Sequence, residues 1–289
     1  MALDGNDLYS VLVLLEDTRE KLKHLKEYYD EKKDQELANA YYSEIDLHTD
    51  PAGLFRNLNK LLADTHVNQL PYNAATRNSL YSIVDLREDG NLKSIYSGKV
   101  RDPAQVIKED YEAEANRRNM ISMLDDESFD TLDFMYNCEH VVPQSWFHKK
   151  NPMRGDLHHL FTCEKDCNSL RSNHPYFDFD DYTPVMEANV IKSQCGKYEE
   201  GRFEPESGKG EAARATLYFL LRYPKEISHY SSGGIDIMLH WHTEHPVTNF
   251  EKRRNMEIHQ IQQNRNPLID FPELAGKIDF SLSIEENGE

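Results

Sequence analysis

The sequence predicts a mixed α+β fold, mostly helical. Five stretches, 7–40, 52–65, 211–224, 235–245 and 249–264, place apolar residues at helical spacing. A short segment from 139 to about 173 reads instead as strand, loop, strand and helix. Hydrophobic residues make up 38% of the 289, with 16 Tyr and 12 Phe, enough to bury a sizeable core.

Taken in order, residues 7 to about 40 read as one long helix, with Leu8, Leu15, Leu22 and Tyr29 recurring every seven. About three heptads favour a surface helix docked on the body over a coiled-coil dimer. "AGLFRNLNKLLADT" is a second amphipathic helix. "SLYSIVDLRE" and "LKSIYSG" read as short strands, or a strand and a turn, with "EDGN" between them as the turn.

The next strands are 139–147, interrupted by Pro143, and 157–162. "CEKDCNSLRSN" is the following helix, ended before "HPYFD" because the proline biases the preceding residue away from helix. Gly and charge make 192–210 a loop. "EAARATLYFLLRYP", stopped by Pro224, "IDIMLHWHTEH" and "NFEKRRNMEIHQIQQN" are three further helices. The simplest organisation is an N-terminal helical extension over 1–40 and one domain over 41–289.

No run of about 18 apolar residues is present, so no helix is expected to span a membrane. The acidic start "MALDGNDLYSVLVLLEDTRE" is unlike a signal peptide, which leaves either a cytoplasmic protein or one whose leader has been removed. Net charge is −18, an unpromising balance for a polyanionic partner. Residues 137–175 depart from it, with five basic against four acidic side chains and five of the 13 histidines. Cys138, Cys163, Cys167 and Cys195 can form disulfides in three connectivities, ligate a structural metal or stay free.

Glu139, five histidines, Arg154, Asp156, Arg171 and the amides of Asn168 and Asn173 share that segment. One account is a metal-dependent phosphodiesterase. It needs a base for water, a positive centre for phosphoryl and leaving oxygens, and in-line geometry. A neutral His suits the base, and a hard Mg²⁺ held by one carboxylate, one amide oxygen and waters suits the positive centre. A second account is zinc at "HWHTEH", where His242 and His245 stand three apart without the i, i+4 pair of H-E-x-x-H. In the third, the histidines are structural and satisfied by hydrogen bonds.

The ordered motifs "NCEHVVPQSWF", "PMRGDLHHLF", "CNSLRSNHPY", "GRFEP", "KGEAARATLYFLLRYP" and "QNRNP" weigh among these. From about residue 41 to about 270 the chain resembles the bacterial endonuclease I family, nonspecific nucleases with a ββα-metal (His-Me finger) site. The resemblance implies a short β-hairpin plus helix as the active site and Mg²⁺ as cofactor, one ion per site, with Mn²⁺ or Ca²⁺ substituting in binding. It implies a substrate of DNA, with RNA as a second candidate, gripped through the phosphate backbone and cut to 5′-phosphate and 3′-hydroxyl ends.

By residue, the resemblance makes His140 the general base and Glu139 and Asn168 the metal ligands. It assigns phosphate contacts to Arg154 and Arg171, and supporting or phosphate-contacting positions to Asp156, His158, His159 and Asn173. It also implies export; oligomeric state is not fixed by the sequence, a monomer being the expectation. Three departures stand out: Thr162 where many relatives have proline, Glu211 for an Asp, and Gln263 where "QGNRNP" is usual. The competing class is a catalytically silent nucleic-acid or protein interaction module on the same scaffold.

Overall fold

The computed structural model describes residues 7–24, 28–121, 136–182 and 192–284. Two apolar clusters share the interior. The larger gathers around α7 (Lys209–Arg222), whose Ala212, Leu217, Phe219 and Leu221 pack against α3 (Pro51–Thr65) and α8 (Ser232–Glu244). The smaller joins α1 (Leu8–His24), the turn at Leu80–Val84 and α5 (Pro103–Ile121) to the inner residues Cys138, Leu157 and Leu160.

The N-terminal helix is broken in two. α1 buries Val11 and Leu15, while Asp30 caps a new helix, α2 (Glu31–Tyr41), by accepting from the Lys33 amide at 3.0 Å. Periodicity runs across the break, but a cap satisfies the first amides of α2 locally. α2 is tied to the body through Asp34, which meets the buried Arg265 at 2.8 Å, and Tyr42 just beyond its end donates to Asp270 at 2.8 Å.

The expected strand at "SLYSIVDLRE" is helical. Asn73 caps α4 (Ala74–Ser79), which runs on into a single wide turn, Leu80–Val84. Leu80, Tyr81 and Val84 are all buried in the smaller core, so burial outweighs the strand preference of β-branched and aromatic residues. The next expected strand survives as β1 (Leu92–Lys93), paired with β2 (Val100–Arg101). α5 follows, a charged helix that the apolar pattern did not reveal. Asp102 caps it, Pro103 opens it, and only a thin stripe including Val106 and Ile107 is buried.

The expected strand, loop, strand and helix are present, shorter than expected. β3 (Cys138–His140) pairs antiparallel with β4 (Leu160–Thr162), and α6 (Lys165–Arg171) follows. Residues 157–159 form a tight helical turn that feeds β4. Thr162 donates both its amide and its hydroxyl to Asp85 Oδ2, at 2.7 and 2.9 Å, a pair of bonds that proline could not make.

The stretch expected as a loop, 192–210, holds a three-stranded sheet: β5 (Lys192–Ser193), β6 (Gly196–Glu199) and β7 (Arg202–Pro205). Glu200 and Gly201 turn between β6 and β7 with φ of 50° and 76°, the left-handed pair that two-residue hairpins require. A disulfide joins Cys167 of α6 to Cys195, just before β6, while Cys138 and Cys163 are buried thiols. α9 (Asn249–Gln262) and α10 (Pro267–Asp270) are the last α-helices among the described residues, α9 opening with the reciprocal capping box of Thr248 and Glu251.

Candidate active site

The β3–β4 ladder separates Glu139 from His140. Glu139 stands opposite Phe161 and His140 opposite Leu160, and neighbouring side chains leave a strand on opposite faces. His140 lies against the ring edges of Tyr72 and His159, with centroids at 4.6 and 5.6 Å. Glu139 meets a different set. The Tyr96 hydroxyl donates to its Oε1 at 2.6 Å, and Arg171 Nη1 lies 3.4 Å from the same oxygen.

His140 Nε2 sits 3.0 Å from the carbonyl oxygen of Arg154. A carbonyl only accepts, so Nε2 carries the hydrogen and Nδ1 keeps the basic lone pair. Burial, joined by the charges of His159, Arg154 and Arg171, holds the imidazole well below its ordinary pKa despite the Arg154 carbonyl. The ring is neutral at pH 7, the form a base needs. It is 6% exposed, framed by rings and a carbonyl.

Burial acts the other way on Glu139. Desolvation pushes its carboxyl up to about 7, against the pull of Arg171, the Tyr96 hydroxyl and the His140 amide. Tyr96 is itself linked to Tyr176 through their hydroxyls at 2.6 Å, so the carboxylate rests on a fixed polar network. Asn168, on α6, donates Nδ2 to the carbonyl of Cys138 at 3.0 Å. That bond ties the helix to the residue before Glu139 through Nδ2 and does not involve the amide oxygen Oδ1. The disulfide at Cys167 anchors the same turn of α6.

The two arginines differ sharply. Arg171 is fully buried, with Nη2 donating to the Val141 carbonyl at 2.5 Å and Nη1 to those of His140 and Ser172. Arg154 is half-buried, its Nε donating to Gln144 at 3.0 Å and its guanidinium 5.2 Å from the Tyr72 ring centre. It has no carboxylate partner among the described residues.

Asp156, His158 and His159 form the support behind β4. Asp156 accepts from Tyr218, Tyr223, Gln262 and the His158 amide, all within 2.8–3.0 Å. Burial raises its carboxyl, but His66, His158 and His159 together with the Gln262 amide outweigh that and hold it below the usual range. Burial lowers His158 to about 3, and burial likewise lowers His159. Their Nε2 atoms face the carbonyls of Asn264 and Met153, at 3.4 and 2.6 Å. Asn173 is exposed beyond the end of α6.

Sequence reasoning named none of Tyr72, Tyr96, Tyr176 or Gln144 for the site. Tyr96 lies 43 positions from Glu139, and no local pattern signals that contact. At the other candidate metal site, His242 faces the Pro272 carbonyl at 2.9 Å and His245 lies past the end of α8. Among the described residues no group of three His, Cys, Asp or Glu side chains is arranged to hold a metal.

Two curated relatives are similar to this chain over 161 residues, half of its length. One, named extracellular ribonuclease, from Bacillus amyloliquefaciens, is 32% identical; the other, of the same name, from Bacillus subtilis (strain 168), is 30% identical. The match covers 53% and 54% of those proteins, so the chain spans about half the length of the curated relatives it matches. The family model described as Endonuclease I matches residues 53–273, which takes in every residue of this site, and the chain belongs to that family.

Proposed function

We propose that the chain is a Mg²⁺-dependent nonspecific endonuclease, with β3, β4 and α6 as its ββα-metal finger. The observation that carries the reading is the divergence of Glu139 and His140 from adjacent positions of one strand. In-line attack puts water and leaving oxygen on opposite sides of phosphorus, so a base and a metal ligand must flank the phosphate. One strand end supplies both.

The donor set fits a hard cation. Glu139 and Asn168 offer oxygens from a strand and a helix held together by the Asn168–Cys138 bond, and Mg²⁺ characteristically takes few protein ligands and keeps several waters. When bound, the ion would neutralise charge on the phosphoryl and leaving oxygens, and Mn²⁺ or Ca²⁺ would take its place in binding. His140 removes the proton of the attacking water at Nδ1 while Nε2 stays tied to Arg154. Arg154, half-exposed beside Tyr72, is positioned to meet phosphate. The burial of Arg171 supports a different task, holding Glu139 and the carbonyls of His140 and Val141 in place.

DNA is the expected substrate, with RNA a second one suggested by the names of the two relatives. Recognition through phosphates would make cutting nonspecific in sequence. Distant acidic surface is screened beyond roughly 8 Å at physiological salt, so the net charge of −18 does not bar contact at the locally balanced site. The Cys167–Cys195 disulfide supports an oxidising location, extracellular or periplasmic. No helix among the described residues is long and apolar enough to cross a membrane.

The test is incubation with supercoiled plasmid and with RNA, with Mg²⁺ and with chelator. Cleavage that needs the metal is the expected result. No cleavage under any divalent ion would favour the silent binding module.

A further inference from the structure

Trp146 is 5% exposed and held from two sides, by the Tyr230 ring at 5.7 Å and the Arg171 guanidinium at 6.0 Å. Its indole face is covered by His229, stacked at 4.4 Å with the two planes only 2° apart. His229 is exposed, in the connection between α7 and α8. One ring face of His229 is therefore spent on Trp146, and the ring is presented to solvent on a rigid aromatic base.

The loop that carries Trp146 has a second property. Residues 145–154 hold Lys149, Lys150 and Arg154 and no carboxylate, in a chain of net charge −18. Lys149 and Lys150 are exposed, and Lys150 meets Glu226 at 3.4 Å across the surface. The same loop ends at Arg154, whose carbonyl orients His140, and Arg171 links the Trp146 end to Glu139. A basic track on this loop and the His229 ring stacked on its Trp146, beside the candidate active site, make the combination that holds unpaired nucleic acid, with phosphates on cations and bases on rings.

We propose that His229, seated on Trp146, is a stacking platform for an unpaired base of a single-stranded nucleic acid whose phosphates follow residues 149–154 towards His140. The proposal rests on the nuclease reading of Glu139 and His140 and adds a substrate class to it. A paired base is already stacked on its neighbours and hydrogen-bonded, so a duplex has no ring to offer without first being opened. The platform thus favours single strands by binding, while the bond-breaking groups treat both alike.

The experiment compares the full chain with His229→Ala and His229→Phe on one oligonucleotide, single-stranded and annealed to its complement, in Mg²⁺. Wild type is expected to show the lower KM on the single strand. His229→Ala should raise that KM about tenfold or more, leave kcat within about twofold, and leave duplex cleavage unchanged. His229→Phe should restore the single-strand KM, because it keeps a ring on Trp146. An active His229→Ala protein with an unaltered single-strand KM, or with equal losses on both substrates, would overturn the platform and leave the nuclease reading standing. Wild type that cuts neither substrate would bring down the nuclease reading and the platform with it.

Discussion

The ring of His140 and the backbone of Arg154 are joined by one hydrogen bond, Nε2 to carbonyl oxygen at 3.0 Å. That bond fixes the tautomer and points the basic nitrogen away from the loop. Replacing His140 with Ala should therefore remove the base without disturbing β3, whose ladder is made by backbone atoms. The expected loss in kcat is about 10²- to 10⁴-fold, with an unchanged far-ultraviolet circular dichroism spectrum. A variant that kept full plasmid-nicking activity would take His140 out of the reaction.

If Glu139 holds the cation as proposed, metal binding should depend on pH. Its carboxyl is raised by burial to about 7, so in the metal-free protein it is half-protonated near neutrality and largely neutral below. A proton on this oxygen competes with the cation. Half-saturating Mg²⁺ should accordingly be constant above about pH 8 and rise as pH falls through 7, approaching about tenfold per pH unit. His140 opposes no such trend, because burial lowers its pKa and keeps it neutral over the same range. Titrations of activity against Mg²⁺ at pH 6, 7 and 8 check this, and a Mg²⁺ requirement that ignores pH would contradict it. Glu139→Gln should abolish the activity at every pH.

Arg171 and Arg154 should separate cleanly in mutagenesis. Arg171 is enclosed, paired to Glu139 and bonded to three backbone carbonyls, so its removal leaves a buried carboxylate without its cation and takes a donor from each of those carbonyls. Arg171→Ala is expected to cost about 3–5 kcal/mol in urea unfolding. Arg154→Ala should stay within about 0.5 kcal/mol of wild type in stability and show its effect in KM for nucleic acid. The reverse pattern, a stable Arg171→Ala protein with raised KM, would return Arg171 to phosphate binding.

What the sequence made legible follows the locality of its signals. β3, β4 and α6 could be read because Pro143 and the apolar runs beside it mark boundaries within a few residues. α9 could be read because a capping box and a helical stripe agree. α5 was missed because its buried stripe is thin and its other faces are charged, although Asp102 and Pro103 did mark its start. The β6–β7 hairpin was masked by its own charge, although Glu200-Gly201 is a turn signal. In the site, Glu139, His140 and Asn168 stand out as chemistry, whereas Tyr72 and Tyr96 are ordinary aromatics until folding sets them beside those residues. The first forty residues look separate in sequence, yet Asp34 pairs with Arg265 in the interior of the family's own "QNRNP" motif.

One departure from the family pattern has a direct energetic consequence. Gln263, where glycine is usual, ends α9 at φ +74°, with its amide donating to the His259 carbonyl at 2.9 Å. The left-handed conformation brings a Cβ close to the following carbonyl and costs roughly 1–2 kcal/mol for a side-chain residue, while glycine adopts it freely. Glycine loses more backbone entropy on folding, which returns part of the gain. The Gln263 side chain offsets little, its one described bond being to the Gln260 carbonyl at 3.3 Å on the exposed surface. Gln263→Gly should thus stabilise the chain by about 0.5–1 kcal/mol, read as a shift of the urea midpoint at constant slope, with nuclease activity unaltered. A destabilised variant would mean that the glutamine side chain holds more of this corner together than its contacts account for.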